Sequence, residues 1–183
     1  MCAQRIDDGF WTVSNELSLR DGWTRAHAEL TSHAKEMGWP GSEGEKVDFA
    51  QAYIDPAKPR QVSHIRRMRT ASLLAEADVV EHAYARKVLS DHYEGTFLDG
   101  PFFNAAAPDF LSVCMHHSPG EFTWGNTAAS SITPMRKDAS ELAMMWWAPV
   151  TPCTSIYLPV YVAAGGVPSL LSDAGKTDTS GML

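Results

Sequence analysis

The chain has 183 residues, 44% apolar and 20% charged, which suits one globular domain with a real core. Its net charge of −7 and pI near 5.4 exclude a non-specific nucleic-acid binder, which needs a basic stripe. Cys2, Cys114 and Cys153 lack any C-x-x-C spacing, which excludes a disulfide framework or zinc ribbon and points to a reducing, cytoplasmic compartment. No apolar run reaches the ~18 residues a membrane span needs, and Asp7 with Asp8 argues against a signal peptide.

In chain order, 2–7 and 10–18 read as two strands joined by the turn Asp7-Asp8-Gly9. A weak helix over 24–37 ends at Gly38-Trp39-Pro40-Gly41, and a short one over 47–54 stops at Asp55-Pro56. The spacing predicts a stronger helix over 62–77, with Ile65, Met68, Ser72 and Ala75 inward and Leu74 beside them. Another covers 79–92, with Val80, Ala83, Tyr84, Val88 and Leu89 inward, and Gly95 ends it. Residues 96–109 read as loop. Strand candidates come next at 110–116, 122–133, 142–148 and 155–163, the last with Pro159 marking an edge or a bulge. Residues 169–183 read as a flexible polar tail behind one domain over 1–168. Helices set between a leading hairpin and a trailing run of strands indicate an α+β fold with mostly antiparallel pairing.

Several residues carry more chemistry than packing requires. Asn15 is disfavoured in a strand, so either it ends the strand and caps the next segment, or its amide donates to a developing oxyanion. Arg60, Arg66, Arg67 and Arg69 cluster; Arg66 and Arg69 share a helix face, which reads as a solvated face or an anion site. Asp91, His92 and Glu94 lie together in Asp91-His92-Tyr93-Glu94-Gly95-Thr96. His92 suits a general base or a ligand, but Cys114 with His116 supplies two donors at most on one strand face, so no metal and no cofactor is expected. Cys114 and Cys153 read as buried core thiols. With Met1 removed, Cys2 would hold a thiol and a free α-amine, the pairing of an N-terminal nucleophile.

Taken in order, Ala3-Gln4-Arg5-Ile6, Ser14-Asn15-Glu16-Leu17-Ser18, the run Val47 to Tyr53, Arg66-Arg67-Met68-Arg69, Asp91 to Thr96, Gly125-Asn126-Thr127-Ala128-Ala129-Ser130 and the run Pro152 to Pro159 resemble the dipeptidase A and secernin family of N-terminal-nucleophile cysteine peptidases. The resemblance spans about 3–168 and implies part of a four-layer αββα sandwich. It implies an oxyanion role for Asn15 and a substrate-carboxylate or thiol-activating role for Arg66. It makes the Asp91 to Thr96 run a structural helix terminus. The family's leading Cys-Asp-Thr segment has no counterpart in these residues. The expectation is therefore a fragment of a cysteine-type dipeptidase that is inactive alone, acts on a dipeptide or small amide, and binds neither nucleic acid nor membrane. Its partner would be the missing leading segment or a second copy. Two alternatives are a small amidase using Cys2 and a non-enzymatic interaction protein of secernin type.

Overall fold

The computed structural model describes residues 1–58, 61–104, 112–116, 125–135, 138 and 142–166. They form a mixed α+β chain in two compact units, Met1–Val80 and Glu81–Leu183. The expected tail at 169–183 lies outside the described residues. No helix among the described residues is long and apolar enough to cross a membrane.

In the first unit, β1 (Cys2–Ala3) pairs antiparallel with β2 (Arg25–Ala26), Cys2 opposite Ala26. This corrects the expected hairpin: 10–18 is not a strand, and the partner of β1 lies beyond it. The reason is local competition. Ser14 Oγ accepts the Glu16 N–H at 3.2 Å, and Ser18 Oγ donates to the Thr12 carbonyl at 3.2 Å, so side chains take backbone groups that a ladder would use. The Leu19 and Arg20 carbonyls instead accept the N–H groups of Ala50 and Phe49 at 2.8 and 3.3 Å.

Those two donors open α2 (Phe49–Tyr53), whose N-cap Asp48 accepts the Gln51 N–H at 3.0 Å. Before it, α1 (Leu30–Glu36) is shorter than expected because β2 takes 25–26. It ends at Gly38, φ +64°, with Gly38 N–H on the Lys35 carbonyl and Trp39 N–H on the Ala34 carbonyl, both at 3.0 Å, a Schellman closure. Leu30, Ala34, Val47 and Ala52 make the core, covered by Trp23, Trp39, Phe49 and Tyr53. The polar atoms of that cover are tied to backbone: Trp23 Nε1 donates to the Val47 carbonyl at 3.0 Å, and the Tyr53 hydroxyl to the Leu30 carbonyl at 2.9 Å.

The third helix, α3 (Gln61–Ala75), buries a face other than the expected one. Ile65 and Met68 are 37% and 48% exposed, and Ser72 and Ala75 are exposed too, whereas Ser63 and Leu73 are buried. The inward row runs Ser63, Arg66, Thr70, Leu73, and the segment 14–16 binds its polar end.

The second unit opens with α4 (His82–Leu89), shorter than 79–92, with Val88 buried and the expected inward Val80 and Ala83 exposed. Its sheet has the order β3 (Ala129–Ile132), β4 (Met144–Pro149), β5 (Leu158–Tyr161), antiparallel throughout. Pro159 sits opposite Trp146 on the edge strand β5, as its missing N–H requires. Tyr157 is buried, its hydroxyl 2.8 Å from Ser130 Oγ and its ring 5.1 Å from the Arg86 guanidinium. His82 lies against Trp146, ring centroids 4.4 Å apart. Of the expected strand over 110–116, the described part 112–116 is bent rather than laddered; Ser112 Oγ donates to the Cys114 carbonyl at 2.5 Å.

Candidate functional site

Among the described residues two constellations carry chemistry, one in each unit. In the first, the segment 13–17 lies between α3 and a cavity. Ser14 Oγ donates to the Ser63 carbonyl at 2.9 Å. Arg66 Nη2 donates to Asn15 Oδ1 at 2.9 Å and to Ser63 Oγ at 3.2 Å. Glu16 takes Arg67 Nε at 2.6 Å and His64 Nδ1 at 2.9 Å. Burial alone would raise the Glu16 carboxyl, but the hydrogen bonds from Arg67 and His64 outweigh it and hold it below the ordinary carboxylate range.

Asn15 and Arg66 are thus in direct contact, between an irregular segment and a helix. A guanidinium has only donors, so the Asn15 amide oxygen must face it and the Asn15 NH2 is left to donate elsewhere. Val13 and Leu17, flanking Asn15, line an apolar cavity of about 380 Å³ with Cys2, Trp11, Leu19 and Phe49. Cys2 therefore reaches a cavity, but burial raises its thiol, and the nearby N-terminal charge only partly offsets that. It is a strand residue, and the preceding Met1 carbonyl accepts the His27 N–H at 2.9 Å.

In the second unit the Asp91 to Thr96 run closes the end of α4. Asp91 Oδ2 accepts the Tyr93 N–H at 3.0 Å, Glu94 Oε2 the His92 N–H at 2.7 Å, and Asp99 Oδ2 the Gly95 N–H at 2.8 Å. Tyr93 and Gly95 take positive φ, 67° and 71°, which turns the chain sharply. The turn aims His92 at His116, their Nε2 atoms 2.9 Å apart. Cys153 Sγ lies 3.3 Å and Cys114 Sγ 3.7 Å from His116 Nε2. The four donor atoms fall within 4.8 Å of one another.

Cys114 is fully buried as expected, and burial pushes its thiol up to about 12. Cys153 is exposed, a correction: it lies in the turn after β4 and not in a strand interior. His116 is shifted down by burial, then by His92, so its imidazole is neutral near pH 7. Sequence spacing does not reveal this grouping, because only Cys114 and His116, on one side of a two-residue step, are visible locally; His92 and Cys153 arrive through the fold. His117, next to His116, lies outside the described residues.

No family model matches this chain, and no solved structure matches it.

Proposed function

We propose that this chain forms part of a cysteine-type dipeptidase of N-terminal-nucleophile kind, within an αββα sandwich, in which Asn15 donates to the oxyanion and Arg66 positions it. The supporting observation is the 2.9 Å bond from Arg66 Nη2 to Asn15 Oδ1, made across 51 residues between two motifs that the resemblance pairs in one site. Because the guanidinium takes the amide oxygen, the NH2, the group an oxyanion needs, is left as the donor. Arg66 acts through Asn15 and is a positioning residue. The attacking thiolate comes from a segment outside these residues. It adds to the scissile carbonyl carbon, and the oxygen takes the negative charge under Asn15; collapse breaks the C–N bond, the amine leaves with the proton the thiol gave to its α-amine, and water then hydrolyses the thioester to return the thiol.

The test is complementation. The purified chain is combined with the leading segment of a dipeptidase A family member and assayed on a panel of dipeptides. Turnover is expected, with Asn15→Ala lowering kcat by roughly 10²–10³-fold, the effect of removing one oxyanion donor. Association without turnover, or turnover indifferent to Asn15→Ala, refutes the proposal.

A second reading uses Cys2 as nucleophile, because Cys2 lines the cavity beside Val13 and Leu17. It requires loss of Met1 and of the bond from the His27 N–H to the Met1 carbonyl, and a thiol that burial otherwise keeps protonated.

A further inference from the structure

The four donors of the second unit form a set that core packing does not need. His92 Nδ1 lies 3.1 Å from Glu94 Oε1; a carboxylate only accepts, so Nδ1 is the donor and Nε2 is the ring atom left for a ligand. That atom faces His116 Nε2 at 2.9 Å. Two ring nitrogens 2.9 Å apart can hold at most one proton between them, and both sulfurs crowd the same His116 nitrogen, as donors around a shared cation would.

We propose that His92, Cys114, His116 and Cys153 form a tetrahedral zinc site. A tetrahedron with zinc–nitrogen bonds of about 2.05 Å and zinc–sulfur bonds of about 2.3 Å has edges of about 3.3 Å between nitrogens and about 3.5 Å between nitrogen and sulfur. The separations of 2.9, 3.3 and 3.7 Å each lie within about 0.4 Å of those edges. Two sulfurs with two imidazoles select zinc over the hard cations, which take oxygen. On binding, each cysteine gives one proton to solvent, and two thiolates neutralise the dication.

The surroundings of the donors suit the same role. Glu94 orients His92 as a carboxylate commonly orients a ligating imidazole. The Cys114 N–H on the Asp91 carbonyl at 3.2 Å ties the 112–116 segment to the His92 turn. Met115 and Thr127 fasten that segment from the other side through two bonds, of 2.9 and 3.0 Å. A groove of about 410 Å³, lined by Ser90, His92, Glu94 and Cys153 among others, gives the ion a way in. Four protein ligands leave no open position, so the ion would clamp the α4 terminus, the 112–116 segment and the turn after β4 together. The site stands independently of the dipeptidase reading, since none of its residues belongs to the Asn15–Arg66 contact.

The experiment adds zinc alone to the chelator-stripped full chain, with Co(II) as the spectroscopic probe. One equivalent of zinc is expected, and Co(II) should give tetrahedral ligand-field bands with thiolate charge-transfer absorption. Because Cys153 is exposed, Cys153→Ser should keep the far-UV circular dichroism while weakening zinc binding by ~100-fold or more, and His116→Asn should do the same. Glu94→Gln should weaken it by roughly 10–100-fold, the usual effect of losing a partner of a ligating histidine. Cys2→Ser should bind as the parent does. Sub-stoichiometric zinc, a Co(II) spectrum without the thiolate band, or parental affinity in the Cys153→Ser, His116→Asn double variant overturns the assignment.

Discussion

Glu16 joins the Asn15 segment to α3 through two partners, Arg67 at 2.6 Å and His64 at 2.9 Å. Its carboxyl is held below the ordinary range in the folded chain, so the stabilisation it gives is complete above the unfolded value near 4.3 and is lost as pH falls through the lowered one. Urea unfolding followed by tryptophan fluorescence should therefore show the parent losing stability in that acid window. Glu16→Gln should be less stable at neutral pH by about 1–2 kcal/mol, between an exposed ion pair and a buried charged hydrogen bond, and should lack this step. A parental acid profile in Glu16→Gln would show that the pair does not hold the segment. Asn15 stands out in the sequence as an amide in an apolar, β-branched run, but the strand that reading assumes is absent, and its partner Arg66 comes from the fold. Glu16 does not stand out, since a glutamate between Asn15 and Leu17 looks the same whether it meets water or a helix.

Among the elements, α2 shows how local chemistry settles a boundary. Asp48 caps it, Ile54 turns extended before Asp55-Pro56, and both ends are readable because the deciding residues are adjacent in sequence. Gly41 belongs to the same construction: φ is +78°, and a Cβ there would lie 3.0 Å from the Cβ atoms of Asp48 and Gln51. Gly41→Ala should cost about 1–2 kcal/mol from the backbone alone, more with the clash, read as a lower urea midpoint. The pairing of β1 with β2 is not readable, because strand partners more than a score of residues apart leave no local mark and the Asp-Gly turn suggests a nearer one. The face of α3 misleads for a related reason. Apolar spacing puts Ile65 and Met68 inward, but hydrogen bonds to Ser14, Asn15 and Glu16 hold the polar side in. That leaves an exposed apolar row on a charged helix, and such rows favour association. Sedimentation should show self-association of the parent that weakens in an Ile65→Glu, Met68→Glu double variant; equal behaviour would show that the row is inert.

For the whole molecule, the mixed α+β class is legible in the order of periodic segments, while the division at Val80 and Glu81 is not. No composition shift or Gly/Pro run marks it. The four-donor cluster is hidden at this scale too, since Cys153 lies 37 residues beyond His116 and no spacing links them. The dipeptidase reading makes a demand on the chain as a whole: Asn15 and Arg66 serve a thiolate supplied by another segment. Dipeptide hydrolysis, measured for the chain alone and after addition of a family leading segment, with Cys2→Ala as comparison, tests this most directly. No turnover is expected from the chain alone, and turnover after addition should survive Cys2→Ala. Turnover by the chain alone that disappears in Cys2→Ala would contradict the dipeptidase reading.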